Sequence, residues 1–491
     1  MIMFQFDSAR ILEHFLYHPE SPLLFSSGLF LFLFLGFLLV YRFLLPHERA
    51  RILWCTLFSV YFYYKSSGVF FLLLVGSVVV DFHLARWIAA AATKQAKYRL
   101  LVLSLVANLG MLAYFKYTNY FFELWAGMTG DQPLHFDIFL PVGISFFTFQ
   151  SLSYTIDVYR GEIKALDDIW DYAFFVTFFP QMVAGPIVRA ADFLPQIHRP
   201  LHVSKEQFGR GVYLFCVGLF KKAVISDYIS LNFVDRVFES PTQYTGLENL
   251  IGVYGYALQI YCDFSGYSDM AIGIGLLLGF TFPINFNSPY QARSVTEFWR
   301  RWHISLSTWL RDYLYISLGG NRQGRARTYL NLLITMLLGG LWHGAATRFV
   351  IWGGLHGVAL GLERWWKEVF PGRPRWWRRF LGGLWTFHFV CFCWIFFRAP
   401  DLAAVLAMLE QIAYAFNPQV LPEFLAGYGA VVFWMIFGYG LHVLPTTWEH
   451  AAERQVTALS LPAKAVLITL FVILVMQVKS SDVQPFIYFQ F

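Results

Sequence analysis

Long runs of apolar residues recur along the chain and give the first indication of its fold. A helix needs about 20 mostly apolar residues to cross the hydrocarbon core of a bilayer. The runs predict an all-α, polytopic integral membrane protein with about 11–13 transmembrane or re-entrant helices. The predicted spans are Leu23–Leu45, Val69–Trp87, Leu100–Tyr114, Ile138–Tyr154, Val212–Ile229, Leu250–Phe280, Leu330–Trp342, Phe349–Leu362, Leu381–Phe397, Gly429–Val443 and Ala463–Val478.

Two further apolar stretches are expected to depart from simple crossings. Ile52–Tyr64 is short, and we expect it to form a tight hairpin with the span that follows. Phe174–Val188 contains Pro180 and the pair Gly185-Pro186. Proline removes a backbone donor and interrupts a helix, and irregular backbone at membrane depth must be sheltered from lipid. This second stretch is therefore predicted to re-enter the membrane rather than cross it.

The loops between the runs differ in charge, which predicts an orientation. Cytoplasmic loops of membrane proteins are enriched in Lys and Arg. The segments Val234–Glu248 and Thr118–Asp137 contain few such residues or none and are predicted to lie outside. No repeat, linker or soluble appendage interrupts the pattern, so residues 1–491 are predicted to form one domain. The basic, predicted cytoplasmic loops are Arg42–Arg51, Arg86–Arg99, Arg189–Arg210, Arg293–Arg327 and Arg364–Arg379.

Composition supports the membrane assignment and excludes other classes of protein. Of the 491 residues, 57% are hydrophobic and 14% are charged, whereas soluble domains contain about 25% charged residues. The net charge of +6 accompanies no nucleic-acid recognition motif, so we predict no nucleic-acid partner. The five cysteines show neither zinc-binding spacing nor a disulfide framework and are expected to be small buried residues.

Polar residues are concentrated between Asp263 and His356, where a membrane protein would be expected to be apolar. Asp263 and Asp269 lie between two strongly apolar runs. Ionisable groups at membrane depth are energetically costly and often mark functional sites. The two carboxylates are equally consistent with a structural role near a helix break or a hydrated cavity, and both interpretations stay open.

The segment Ser294–Gly320 is predicted to be one amphipathic helix at the cytoplasmic interface. Ser294 has the capping-box spacing to a glutamate three residues on, which favours a helix start. The glycine pair at its end can adopt the left-handed backbone of a C-cap. On such a helix, Trp299, His303 and Ser307 would share one face through their i, i+4 spacing.

Charged and polar side chains in this region supply further candidates for substrate binding. Arginine forks match phosphate geometry, although arginines also extend to lipid headgroups, and both interpretations remain open. The candidate substrate- or donor-binding residues are Trp299, Arg300, Arg301, Ser307, Asp312, Asn321, Trp342, Asp263 and Asp269.

His343 ends an apolar run and has glycines on both sides. Glycine lets backbone or ligand approach closely, and a neutral imidazole can act as a general base. The alternative is a histidine that only packs in the core, and His356 is either its partner or a helix-packing residue. His343, His356 and His303 could in principle form a three-histidine metal site, but no ligand spacing connects the three, and we predict no metal.

Several of these motifs, in this order, resemble the bacterial branch of the membrane-bound O-acyltransferases. The most specific are FWRRWHISLSTWLRDYLYISLGGNR (residues 298–322) and LLGGLWHGA (residues 337–345). The resemblance extends from Leu23 to about Arg398 and is weaker beyond. Supporting motifs are PVGISFFTFQSLSYTIDVYRG (141–161), FFPQMVAGPIVR (178–189) and YCDFSGYSDMAIGIGLLLGF (261–280).

The resemblance implies a fold, a reaction and a location. It implies a ring of helices around a channel that joins cytoplasm and periplasm. It also implies that His343 is the catalytic histidine of a Trp-His-Gly motif and that His303 is the family's second polar position. The acyl donor would be a cytoplasmic thioester, acetyl-CoA, with no cofactor bound. The acceptor would be an exopolysaccharide, with alginate as the first choice. The acetyl group would reach it through a periplasmic acetyltransferase partner. The protein would lie among the lipids of the bacterial inner membrane.

Three other functions remain open at this point. D-alanine could pass from a carrier protein to teichoic acid within the same fold. A polysaccharide transporter or flippase would also have many spans and intramembrane carboxylates, although it predicts an internal symmetry that the sequence lacks. A structural subunit of an export complex would retain its function without His343.

Overall fold

The structure is a computed structural model that describes residues 13–19, 22–372 and 375–478. Helices are the regular elements of these residues, and no β-strand occurs among them. The predicted all-α fold is thus confirmed. Within the described residues, the chain forms two compact units, the first ending at His202 and the second beginning at Val203. The single-domain description remains a prediction.

The first unit consists of helices of very different length. The shortest of those named below, Phe179–Met182, has Pro180 in its first turn. A π-helical segment, Ala113–Tyr117, joins two of the longer helices into one continuous stretch. The helices of this unit are α1 (Gly28–Leu44), α2 (Glu48–Ser67), α3 (Phe71–Ala90), α4 (Lys94–Leu112), α5 (Thr118–Thr129), α6 (Ile144–Arg160), α7 (Ile169–Thr177), α8 (Phe179–Met182) and α9 (Ala190–Ile197).

The second unit contains the polar region singled out above. Its π-helical segments are Lys221–Ser226, Ser230–Val234 and Leu310–Tyr315. Its helices are α10 (Lys205–Phe220), α11 (Asp227–Ile229), α12 (Asp235–Glu239), α13 (Gly246–Leu277), α14 (Val295–Trp299), α15 (Ile304–Trp309), α16 (Arg325–His343), α17 (Thr347–Val369), α18 (Trp376–Arg398), α19 (Leu402–Tyr414), α20 (Leu421–Val443), α21 (Thr446–Ala458) and α22 (Leu461–Val478).

Four helical stretches in the described residues are long and apolar enough to cross a membrane. They are Glu48–Ala90, Lys94–Thr129, Trp376–Arg398 and Pro418–Val443. Shorter apolar helices are Gly28–Leu44, Leu402–Tyr414 and Leu461–Gln477. The multi-pass membrane character is therefore confirmed, whereas the total of 11–13 crossings, the channel and the orientation remain predictions.

Several helix boundaries differ from those predicted. α6 begins at Ile144 rather than Ile138, because Pro141 and the left-handed Gly143 (φ 73°) precede it. The stretch 118–137, predicted to be an outer loop, is helical as far as Thr129 because the π-helical segment continues α4 into α5. The interruption expected at Pro180 is confirmed: α7 ends at Thr177, and irregular backbone follows α8.

Glycines allow two pairs of helices in the second unit to approach closely. α10 and α13 face each other through Gly218 and Gly266, where a Cβ on Gly266 would lie 2.6 Å from the Gly218 carbonyl oxygen. α16 and α17 approach through Gly340 and Gly353, where a Cβ would overlap the carbonyl oxygens of Phe349 and Met336 respectively. Small residues at helix interfaces are a common basis of packing in membranes.

Gly353→Ala is expected to destabilise the protein by about 1–3 kcal/mol, since overpacking a close interface costs that much. Gly354→Ala is the matched control on the same helix, because the one atom of the described residues within 4 Å of a Cβ there is Leu337 Cδ2, at 3.5 Å. Thermal unfolding of the purified protein in detergent measures the difference. Equal stability of the two variants would contradict the close approach of α16 and α17.

Candidate active site

His343 is the last residue of α16 and lies in a pocket walled by aromatic rings. Its side chain is buried, with 3% of its surface exposed. The imidazole centroid lies 5.0 Å from Trp342, 5.1 Å from Trp352 and 5.2 Å from Phe397, with the rings nearly perpendicular. Edge-to-face contacts of this kind hold an aromatic ring in a fixed orientation. The position of His343 is thus set by α16, α17 and α18 together.

A short glycine-containing turn connects His343 to α17. Gly344 has extended backbone, and a Cβ at this position would overlap the ring of Phe349. Arg348, in the first turn of α17, donates from Nη1 to the carbonyl oxygen of Phe397 at the end of α18. The turn therefore stays tight, and the ring of Phe397 is held against His343.

The structure corrects the prediction of one helix over Ser294–Gly320. Ser294 caps α14 as expected, accepting a hydrogen bond from Glu297 N at 3.2 Å. The helix then ends at Trp299, and His303 adopts a left-handed backbone with φ 43° before α15 begins. Non-glycine residues rarely adopt this conformation, so local spacing could not predict it. Trp299, His303 and Ser307 consequently do not share a helix face.

Asn285 holds the turn that carries His303. Its Oδ1 accepts hydrogen bonds from Ser305 N at 3.2 Å and from Ser305 Oγ at 2.9 Å. His303 Nδ1 lies 3.2 Å from the same oxygen, and the backbone carbonyl oxygen of Asn285 accepts a hydrogen bond from Ile304 N at 2.9 Å. An amide oxygen can only accept, so His303 Nδ1 carries the proton and Nε2 presents a lone pair. Asn285 therefore fixes both the position and the tautomer of this histidine.

The two candidate histidines lie against the same indole ring. Trp342 is 5.0 Å from His343 and 6.1 Å from His303, centroid to centroid. His303 is fully buried and also contacts Phe264 at 4.6 Å. The structure therefore brings together His343, His303 and Trp342, three of the predicted site residues, although their 40-residue separation shows no periodic relation in sequence. Their catalytic roles remain proposals.

A second group of aromatic residues adjoins this pocket through α17. Trp352 contacts His343 and also His356, at 4.8 Å. Trp299, a predicted site residue, donates from Nε1 to His356 Nδ1 at 3.3 Å.

In the described part of the chain, no group of three histidine, cysteine or acidic residues could hold a metal ion.

Asp263 and Asp269, both on α13, form ion pairs with two adjacent lysines. Asp263 lies 2.5 Å from Lys222 Nζ, which also contacts Asp227 at 2.7 Å. Asp269 lies 2.7 Å from Lys221 Nζ. The glycine contact between α10 and α13 brings these groups together, because the lysines directly follow α10. The geometry supports the structural interpretation of both carboxylates.

The other predicted binding residues lie in polar surroundings with their own contacts. Arg301 pairs with Glu297 at 2.8 Å, and Asp312 pairs with Arg311 at 2.6 Å. Asn321 accepts hydrogen bonds from Tyr315 and Arg364. Ser307 Oγ donates to the Trp302 carbonyl oxygen at 3.3 Å. Arg300 is exposed. Ion-paired Arg301 is less available for a ligand than Arg300.

Sequence reasoning missed Lys222, Asn285 and Trp352. A signal existed for Lys222, because two adjacent lysines inside the predicted span Val212–Ile229 needed acidic partners. No signal existed for Asn285, which lies in an irregular segment, or for Trp352, one of the 17 tryptophans of the chain. Only the fold shows that these two contact the candidate histidines.

The comparisons with known proteins identify the class. The sequence model of the membrane-bound O-acyltransferase family matches residues 91–400, which include every candidate described above. The chain therefore belongs to this family and is an O-acyltransferase, as the sequence motifs predicted.

Three relatives show which members of the family are similar to this chain. A probable alginate O-acetylase AlgI of Pseudomonas aeruginosa is 44% identical over 410 residues, covering 82% of this chain and 76% of the relative. One from Pseudomonas putida is 39% identical over 498 residues, covering 96% and 100%. A peptidoglycan O-acetyltransferase of Helicobacter pylori is 38% identical over 423 residues, covering 79% of each chain.

Asn285→Ala is expected to lower acyl transfer roughly 10- to 100-fold, because a misplacement of about 1 Å at a reacting group can cost as much as 10²-fold. The change removes the oxygen that orients His303 and satisfies Ser305. Asn232→Ala is the control, since Asn232 Nδ2 donates, among the described residues, to the Tyr228 carbonyl oxygen of its own helical turn. Rates are compared at equal membrane levels of protein. A rate like that of the unchanged protein would contradict the role of Asn285.

Lys222→Met is expected to destabilise the protein by about 3–5 kcal/mol, because it leaves a buried carboxylate without its cation. The Lys222 and Asp263 side chains are each 4% exposed, whereas those of Lys221 and Asp269 are 23% and 21% exposed. Lys221→Met is therefore the matched control, with a smaller expected loss. Unfolding temperature and membrane accumulation measure both. A larger loss for Lys221→Met would refute this ranking.

Proposed function

We propose that this enzyme moves an acetyl group from acetyl-CoA, reached from the cytoplasm, across the bacterial inner membrane for O-acetylation of an exopolysaccharide. Alginate is the proposed polymer, because relatives 38–44% identical are named probable alginate O-acetylases. The observation that carries the proposal is the placement of His343 and His303 against one buried indole, within the region that matches the acyltransferase family.

The chemistry assigns a task to each histidine. His343 takes the proton of the acceptor hydroxyl while the hydroxyl oxygen attacks the acyl carbon of the thioester. A C–O bond forms, the C–S bond breaks, and the proton passes from His343 to the departing thiolate. General-base catalysis contributes about 10²–10⁴-fold in rate. His303, with its proton held on Nδ1, would orient the hydroxyl by accepting a hydrogen bond through Nε2.

The surroundings of the two histidines support this assignment. His343 and His303 are 3% and 0% exposed, so bulk water has little access to a thioester bound beside them. Excluding water protects a reactive acyl group from hydrolysis. A site that must deliver the acetyl group to one hydroxyl rather than to water needs such a setting.

The proposed partners follow from where each substrate would be. Exposed Arg300 and Arg322 could bind the phosphates of acetyl-CoA, since guanidinium forks match phosphate oxygens. On the other side, a periplasmic acetyltransferase would pass the acetyl group to the polymer. Membrane lipid surrounds the apolar helices. Membership in an acyltransferase family favours this enzymatic function over the transporter and structural functions.

A second candidate acceptor is peptidoglycan. The Helicobacter pylori relative, whose name specifies that polymer, is 38% identical to this chain. Transfer of D-alanine to teichoic acid is a third possibility within the same chemistry. Neighbouring genes distinguish the three: alginate or cellulose synthesis genes, peptidoglycan-modifying genes, or a carrier protein with its ligase.

His343→Ala is expected to abolish polymer O-acetylation in cells, a loss of at least about 10²-fold, while the protein accumulates normally in the membrane. His388→Ala is the matched control, because His388 is an exposed histidine on α18 whose hydrogen bond among the described residues joins Nδ1 to the Leu384 carbonyl oxygen. Acetyl content of the isolated polymer is the measurement. Unchanged acetylation in the His343 variant would show that this histidine only packs in the core.

A further inference from the structure

Trp352 and His356 lie one turn apart on α17; Trp352 adjoins the candidate base, and His356 adjoins Trp352. Both are almost fully buried, with 1% and 0% of their surfaces exposed. Their rings contact each other at 4.8 Å, and the Trp352 ring contacts His343 at 5.1 Å. The catalytic scheme above uses neither of them.

The contact with Trp299 determines where His356 carries its proton. An indole N–H can only donate, so His356 Nδ1, 3.3 Å from Trp299 Nε1, must accept. Nδ1 therefore has no proton, and the neutral imidazole carries its proton on Nε2. Because the two nitrogens lie on different edges of the ring, this Nε2–H points away from Trp299.

Two hydrogen-bond donors in these adjoining rings are thus without an acceptor in the described part of the chain. Neither His356 Nε2 nor Trp352 Nε1 has a hydrogen-bond partner within the described residues. Buried donors are rarely left unpaired in native proteins, because the loss of hydration is not compensated. Two such donors in adjoining rings therefore indicate an acceptor that arrives with a ligand.

We propose that Trp352 Nε1–H and His356 Nε2–H bind the carbonyl oxygen of the acyl thioester, an assignment that rests on the proposed function. A carbonyl oxygen has two lone pairs and can accept both hydrogen bonds. As the acceptor oxygen forms its bond to the acyl carbon, the carbonyl electron pair moves onto this oxygen. The two donors stabilise the resulting negative charge until the C–S bond breaks and the carbonyl re-forms.

Two unreactive analogues of the donor test the hydrogen bonds directly. Acetonyl-CoA keeps a carbonyl oxygen, whereas S-ethyl-CoA has none. The full-length protein in lipid nanodiscs should bind acetonyl-CoA roughly fivefold or more tightly than S-ethyl-CoA, the size expected for one or two net hydrogen bonds. Trp352→Phe and His356→Leu should bring this affinity ratio towards one. Both analogues are measured on the same preparation, so a loss of folded protein cancels in the ratio.

Two further variants distinguish an effect of the two N–H groups on the affinity ratio from an effect of side-chain packing. His356→Gln can accept from Trp299 through its amide oxygen and donate through its amide nitrogen, so it should retain the ratio. Trp394→Phe should also retain it, because the Trp394 N–H already donates to Tyr290 Oη at 3.2 Å. In turnover, Trp352→Phe should lower kcat by about 10²–10³-fold, the usual cost of a lost oxyanion donor, with a much smaller change in KM.

The outcomes are distinguishable. An affinity ratio in Trp352→Phe and His356→Leu equal to that of the unchanged protein would overturn this assignment and leave the proposed thioester donor intact. Failure of the unchanged protein to bind either analogue would overturn the proposed donor and, with it, this assignment. A ratio lost equally in Trp394→Phe would show that packing, and not the two N–H groups, sets the preference.

Discussion

The backbone contact between α16 and α17 is the constraint on which the candidate site depends. At Gly340 and Gly353, the backbone of each helix occupies the space that a side chain of the other would need. That approach brings Trp352 of α17 beside His343 at the end of α16, with His356 packed against Trp352. Helix association in a membrane has little hydrophobic driving force and relies on such close packing. A methyl group at either glycine would separate the two helices and widen the pocket.

Buried ion pairs are a second structural feature of the second unit. The carboxylates on α13 pair with Lys221 and Lys222, close to a second glycine contact between helices. An ion pair can persist at low dielectric only when both partners are held in good geometry. The rings around His343 are aromatic instead. The ion pairs thus stabilise the scaffold, whereas the proposed proton transfer is assigned to the histidines of the aromatic pocket.

Hydrogen bonds from neighbouring residues determine the proton positions of two histidines, in opposite senses. Asn285 places the proton of His303 on Nδ1, whereas Trp299 leaves that of His356 on Nε2. The partner of one ring nitrogen determines what the other can do. His303 consequently presents an acceptor and His356 a donor. The left-handed backbone of His303 is a local strain of a kind that is concentrated at functional sites, and Asn285 maintains it.

The sequence by itself determined the class of protein and indicated His343 and His303 as candidate site residues. Apolar runs require helices because lipid offers no partner for exposed backbone groups, and the Trp-His-Gly and Arg-Arg-Trp-His motifs are local enough to be read directly. Only the tertiary structure decided the interruption of the helix at His303, the hydrogen bonds of Asn285 to the turn that carries His303, and the contacts of Trp352. These depend on which helices approach each other, and that is set by packing between residues far apart in the chain, for which hydrophobic periodicity contains no information.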